Sequence, residues 1–131
     1  MYLTVFYGVL DRARSQLLFA NAGHPHAFRV GRTSVERLGA TAPPLGLAGV
    51  RDIQRQVVPW DAADDLLCLW TDGLEDAQNI AGEKFGEARV LDVVKSMHGA
   101  EPQVIVDAVL AEASAFAAGR GDDRTMLVLR L

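Results

Sequence analysis

The order of the predicted elements restricts the fold more than any other feature of this sequence. Residues 3–11 and 17–23 are rich in β-branched and aromatic side chains and flank a short polar turn, which predicts an antiparallel hairpin. Residues 26–31 and 34–40 predict a second hairpin in the same way. The first third of the chain therefore predicts four strands.

The middle of the chain predicts loops around one deeply buried strand. Residues 41–49 combine proline and glycine, which neither a helix nor a central strand tolerates. Residues 51–59 alternate polar and apolar side chains and predict a half-exposed strand. Residues 61–65 form an acidic turn, after which the apolar run LLCLW, residues 66–70, predicts a buried strand.

The last third changes to helical spacing. Apolar residues recur at this spacing from residue 90 to residue 97, and His98 is expected on the surface or edge of that helix. Pro102 suits the first turn of a second helix, which Gly119 would end. Residues 125–131 predict a final, central strand. Many strands, two helices and one more strand together predict an α+β fold with a largely antiparallel sheet.

Composition and charge narrow the functional classes. The 131 residues fit one domain, placed at residues 1–131, and 50% of them are hydrophobic, which suffices for a packed core. Thirteen basic and 17 acidic residues give a net charge of −4, which argues against nucleic acid and anionic membranes as partners. The single cysteine, Cys68, and the lack of a signal peptide or spanning segment predict a cytoplasmic protein without membrane insertion.

Carboxylates follow or precede two of the apolar strands. Asp72 comes directly after LLCLW, Gly73 allows a sharp turn there, and Asp76 would share a side with Asp72 on a helical turn. Asp122 and its neighbour Asp123 stand just before the last strand. If these two strands are adjacent, the acids meet, and clustered carboxylates favour a cation between them. Oxygen ligands select Mg²⁺, Mn²⁺ or Ca²⁺.

Simpler interpretations of these residues stay open. Asp-Gly is common in turns, and an aspartate at a strand end is often only solvated. His24 and His26 would share one face of a strand, but no third nitrogen or sulfur ligand for zinc lies near them in the sequence, so a structural role is favoured.

Six segments, in this order, resemble a known enzyme family: YGVLD, FANAGHP, PPLGL, LWTDGLEDA, EKFGEARV and GDDRTMLVLRL. They are similar to the C-terminal part of the SpoIIE-type branch of bacterial PPM (PP2C-like) phosphatases. The resemblance covers essentially the whole chain and implies a sandwich of two antiparallel sheets flanked by helices. It also implies a metal-dependent protein serine/threonine phosphatase. The substrate would be a phosphorylated protein, possibly an anti-sigma-factor antagonist in bacterial signalling.

The resemblance further implies the roles of individual residues. Two Mn²⁺ or Mg²⁺ ions would activate a water that attacks phosphorus, so no side chain is expected to be catalytic itself. By match to the family motifs, Asp72 of the Asp72-Gly73 pair and Asp122 would be metal ligands. Asp76 would be an outer or third-metal ligand, and Thr125 would help to hold the turn.

Departures from the family pattern leave a second interpretation open. The motifs GDxxD and DxxGHG, which supply a metal ligand and the bridging aspartate in the family, do not occur in the sequence. We therefore expect the N-terminal strands to be missing and the chain alone to be inactive or nearly so. The alternative is a non-catalytic regulatory module, or a site that a homodimer completes. A smaller departure is His26, where the family usually has proline.

Overall fold

The computed structural model describes residues 1–47, 49, 52–119 and 121–131. Within them it has seven strands and three helices. The strands are β1 (Val5–Asp11), β2 (Gln16–Ala22), β3 (His26–Val30), β4 (Val35–Arg37), β5 (Gln56–Pro59), β6 (Leu66–Trp70) and β7 (Met126–Arg130). The helices are α1 (Asp72–Glu75), α2 (Gly86–Ser96) and α3 (Pro102–Phe116). The α+β class expected from the sequence is confirmed.

The strands form two antiparallel sheets. One has the order β1-β2-β5 and the other the order β4-β3-β6-β7. Both predicted hairpins are confirmed, since β1 pairs with β2 and β3 pairs with β4. The polar turn of the first hairpin is held by Asp11, whose Oδ1 accepts a hydrogen bond from the Arg14 amide at 3.1 Å.

Two hydrophobic cores lie on the two faces of the four-stranded sheet. One core lies between the sheets, where Leu17 and Phe19 of β2 meet Ala27 of β3 and Leu67 of β6. The other lies between the four-stranded sheet and the helices, and it contains Cys68. Trp60 and Trp70 are both buried, as expected for core residues.

The prediction that the last strand is central is wrong for the part of the chain that the structure describes, where β7 pairs only with β6. The strand is apolar on both faces because both faces are covered. Met126 and Val128 pack toward the helices, and Leu129 packs toward the other sheet. Leu127 is 48% exposed, as a residue of an edge strand can be.

The two predicted helices are confirmed as α2 and α3, and Pro102 is the first residue of α3. The prediction for His98 is wrong. The residue lies beyond the end of α2 and is only 5% exposed, because the chain folds back there. Its carbonyl accepts a hydrogen bond from the Arg130 guanidinium of β7 at 2.7 Å.

The middle segments largely follow the prediction. The proline- and glycine-rich stretch contains no strand or helix in its described residues, and Ala48 lies outside them. The predicted strand over residues 51–59 is shorter, since only Gln56–Pro59 is regular and Arg51 lies outside the described residues. The acidic turn is confirmed, because the Asp61 amide donates to the Asp65 carboxylate at 2.8 Å. No helix in the described ranges is long and apolar enough to cross a membrane.

Candidate metal centre

The two acid-bearing segments leave the four-stranded sheet at the same end. Trp70, the last residue of β6, pairs with Met126, the first residue of β7. Beyond this pair, the Thr71 amide donates to the Thr125 carbonyl at 3.0 Å, and the Thr125 amide donates to Thr71 Oγ1 at 3.2 Å. The strands are neighbours, as the sequence analysis required. The segments that carry Asp72 and Asp122 are therefore joined at their base.

Gly73 lets these segments touch. A methyl group built on Gly73 would place its carbon 2.1 Å from the backbone carbonyl oxygen of Asp123. Gly73 lies within α1, and it is not one of the glycines with positive φ, so the expected sharp turn is not the reason for a glycine here. Its role is to admit the backbone of the facing loop.

A cleft of about 230 Å³ lies beside this contact. Three of the four site residues that the sequence analysis named line it, namely Gly73, Asp76 and Asp122. Asp76 Oδ1 accepts a hydrogen bond from Lys84 Nζ at 2.6 Å. That hydrogen bond and the charge of Asp76 raise the pKa of the Lys84 ammonium above its ordinary value of 10.5. Asp76 therefore already faces one cation.

The fourth residue, Asp72, is not among the residues that line the cleft. Its carboxylate is 69% exposed, and Oδ1 lies 2.7 Å from Nε2 of His26. The structure thus brings three of the predicted residues into one cleft and places the Asp72 carboxylate against a buried imidazole.

No sequence pattern predicts this imidazole as part of the site. His26, Asp72 and Glu75 each offer one donor atom within 4.8 Å of the others, a spacing at which side chains can hold a metal ion. The contact depends on the register of β3 against β6, in which His26 pairs with Trp70. No local sequence pattern specifies that register, because the partners lie 44 positions apart.

Asn21 fixes the loop that leads to His26, a role that no sequence pattern predicts. Its side chain is fully buried. The amide nitrogen donates to the carbonyls of His24 and Leu38 at 2.8 and 2.9 Å, and the amide oxygen accepts from the His24 backbone at 2.7 Å. Burial lowers the pKa of His24. The Asn21 amide suits this loop because its two donors bond the two carbonyls and its oxygen bonds the His24 backbone N–H.

The donor set fits a hard divalent cation. Asp72, Asp76 and Asp122 offer carboxylate oxygens, the ligands that Mg²⁺ and Mn²⁺ prefer. Their partly or largely exposed side chains keep oxygens accessible to an ion. Each of the two contacts to His26 and Lys84 engages one oxygen of a carboxylate, so the second oxygen stays available.

Comparison with known proteins gives a consistent family match. The model of the family described as Stage II sporulation protein E (SpoIIE) matches residues 1–131. Protein IcfG from Synechocystis is 27% identical over 106 residues, which are 80% of this chain and 17% of that protein. The phosphoserine phosphatase RsbP from Bacillus subtilis is 34% identical over 76 residues, which are 57% of this chain and 19% of RsbP.

A solved structure extends the match to three dimensions. The SiaA-PP2C domain of Pseudomonas aeruginosa superposes with a TM-score of 0.81 at 24% identity. The match covers 98% of this chain and 51% of that chain. The two antiparallel sheets and their helices are therefore PP2C-like in fold. The chain spans about half the length of this solved chain and less than a fifth of the two curated relatives.

Proposed function

Because the chain belongs to the SpoIIE family, we propose that it supplies metal-binding residues to a protein phosphatase that hydrolyses phosphoserine or phosphothreonine. The observation that carries the proposal is the contact between Gly73 and the backbone of Asp123. This contact holds the segments of Asp72 and Asp122 together at one end of adjacent strands. If the aspartates at these strand ends were only solvated, the fold would not need this close contact.

The proposed ligands are Asp72 and Asp122, with Asp76 as an outer or third-metal ligand. PP2C-like phosphatases are metal-dependent. The all-carboxylate donor set of this chain supports Mn²⁺ or Mg²⁺, two ions in a complete domain. The ions would supply a water of lowered pKa and would neutralise charge on the phosphoryl group.

The residues of this chain would bind and orient rather than attack. The β6–β7 pairing fixes the segments that carry the acids, and the cleft beside Gly73 has room for a phosphoryl group. Arg124 also lines this cleft and offers a cation to phosphoryl oxygens. Cys68 is not a candidate nucleophile, because burial raises the pKa of its thiol to about 12.

The proposed substrate is a phosphorylated protein in the cytoplasm, possibly an anti-sigma-factor antagonist. The curated relative RsbP is named a phosphoserine phosphatase, which supports this class of substrate. The shallow, partly exposed position of the acids also suits a phosphate presented on a protein surface better than a small molecule that needs enclosure.

Phosphatase assays with Mn²⁺ and p-nitrophenyl phosphate test the proposal. In a protein that contains this sequence, we expect turnover. It should fall at least about tenfold in Asp72→Asn and in Asp122→Asn, because even mutation of a residue that only supports a metal ligand costs about 10- to 100-fold in metal affinity or activity. The matched control is Asp92→Asn, an exposed aspartate on α2, which should keep full activity. Turnover that survives both site variants would contradict the proposal.

The chain by itself should show little or no turnover, because the two motifs that carry the other family ligands are absent from its sequence. Strong activity of the chain alone that disappears in Asp72→Asn would support the metal site. It would also show that our expectation of an incomplete site is wrong.

A non-catalytic module that forms a homodimer is the second candidate. Tyr7 and Val9 are exposed on β1, and Leu127 is exposed on β7, two strands that lie at sheet edges among the described residues. Edge strands with exposed apolar side chains favour pairing with another chain. Sedimentation equilibrium separates the candidates, since a monomer that binds Mn²⁺ would argue against this second function.

A further inference from the structure

His26 connects the sheet to the proposed ligand Asp72. It is the first residue of β3, and its side chain is only 6% exposed. Its Nε2 atom lies 2.7 Å from Oδ1 of Asp72. An ionised carboxylate only accepts hydrogen bonds, so the imidazole is the donor in this contact. The bond engages Oδ1 and leaves Oδ2 for another partner.

The imidazole ring is held by aromatic packing. It stacks on Trp70 with ring centres 5.6 Å apart and an interplanar angle of 4°. Trp70 in turn stacks on Phe28 at 4.9 Å. Both of these rings are buried in the core between the sheet and the helices. His26 is therefore a rigid donor, since a ring within a buried stack has little freedom to turn.

Carboxylates also face the other side of the ring. Nδ1 is buried without a hydrogen-bond partner in the described part of the chain, and it lies 3.3 Å from Glu75 Oε2 and 3.6 Å from Glu87 Oε2. Glu87 is paired with Arg37. The stack on Trp70 and the contact with Asp72 therefore hold the plane of the ring and keep Nε2 directed at Asp72.

We propose that His26 is a positioning residue for Asp72. It donates a hydrogen bond to Oδ1 and thereby orients Oδ2 for the metal ion that Asp72 would bind. The inference rests on the proposed metal centre.

The geometry argues for a hydrogen bond rather than for direct ligation by His26. Two adjacent donors on an octahedral Mn²⁺ or Mg²⁺ ion with bonds of about 2.0–2.1 Å lie roughly 2.9 Å apart, whereas Nε2 and Oδ1 are 2.7 Å apart, the length of a strong hydrogen bond. Glu75 lies beside Nδ1 rather than Nε2. The two carboxylates therefore face different nitrogens of the ring, and neither nitrogen meets both of them.

Mn²⁺ titration of the full chain, followed by electron paramagnetic resonance, tests the inference. His26→Phe keeps a ring beside Trp70 but removes the donor, and we expect it to weaken Mn²⁺ binding about 10- to 100-fold. His26→Gln can still donate from its amide and should retain most of the affinity. The control is His98→Phe, which removes another buried histidine and should bind Mn²⁺ like the wild type.

The outcomes separate this inference from the proposed function. Equal affinities of wild type and His26→Phe would overturn the positioning role while the metal centre stands. Absence of Mn²⁺ binding by the wild type would overturn both. Electron spin echo measurements should show no directly coordinated nitrogen on the bound ion, and a directly coordinated nitrogen would make His26 a ligand and overturn the inference.

A measurement on the wild type covers the case in which His26→Phe does not fold. Long-range ¹H–¹⁵N spectra of the His26 ring should place a proton on Nε2, and that resonance should shift when Mg²⁺ is added. A ring signal that does not respond to saturating Mg²⁺ would overturn the positioning role, because a donor to a metal-bound carboxylate must sense the ion.

Discussion

Gly73 shows at the scale of a single residue how closely the two acid-bearing segments approach. The backbone oxygen of Asp123 occupies the space where any larger residue would place its Cβ atom. The Asp-Gly dipeptide is visible in the sequence, where it is typical of a turn. The actual partner could not be predicted, because it lies 50 residues away along the chain.

Gly73→Ala should destabilise the fold by about 1–3 kcal/mol, the usual cost of overpacking, because the facing backbone has to move. Urea unfolding measures this difference. Gly99→Ala is the matched control, since a methyl group there meets no atom within 4 Å, and its effect should stay within about 0.5 kcal/mol. Equal stabilities of the two variants would contradict the close contact.

The pKa of Lys84 depends on the charge of Asp76. The hydrogen bond from Lys84 to Asp76 raises the lysine pKa above 10.5, so this pair stabilises the fold below that pH. The contribution is lost only as the pH rises through the folded-state pKa, in the alkaline range above 10.5. At neutral pH the cation therefore stays beside the acid.

Asp76→Asn should lower the Lys84 pKa toward its ordinary value, because the variant removes the negative charge. A ¹³C titration of the lysine Cε resonance measures the midpoint. Asp92→Asn, which lies on α2, should leave the Lys84 midpoint in place. An unchanged midpoint in Asp76→Asn would show that the two side chains do not pair in solution.

At the scale of elements, local patterns predicted the hairpins and the helices well. The turn residues between β1 and β2 are contiguous with the strands they join, and the apolar positions of α2 and α3 follow one helical period. The position of β7 was not predictable in the same way. Its apolar pattern indicates that residues on both faces of the strand are packed. Its place at the edge depends on which strands pair with it, and the pattern does not specify that.

The loop between β2 and β3 depends on one buried side chain. Asn21→Ala would leave the carbonyls of His24 and Leu38 without their donor, and each buried unsatisfied group costs about 1–3 kcal/mol. We therefore expect a clear drop in the free energy of unfolding, measured in urea. Asn79→Ala removes exposed hydrogen bonds to Glu83 and should cost less. A larger effect at Asn79 would contradict the importance of the buried loop.

At the scale of the whole molecule, the candidate site is built from parts far apart in the sequence. That the segments of Asp72 and Asp122 leave the same end of the sheet follows from the sequence once their strands are assumed to be neighbours. The family resemblance supplied the roles of these acids. The buried imidazole beside Asp72 was not predictable, because it depends on the register of β3 on β6. Side-chain contacts across a sheet require that register, and composition does not specify it.

Asp72 and Asp122 are proposed to bind the same divalent metal centre. A crystal of the chain grown with Mn²⁺ and measured at the manganese absorption edge tests it directly. We expect an anomalous peak at about 2.1 Å from a carboxylate oxygen of each residue, with Oδ1 of Asp72 still hydrogen-bonded to His26. A crystal saturated with Mn²⁺ that shows no peak beside these two carboxylates would contradict it.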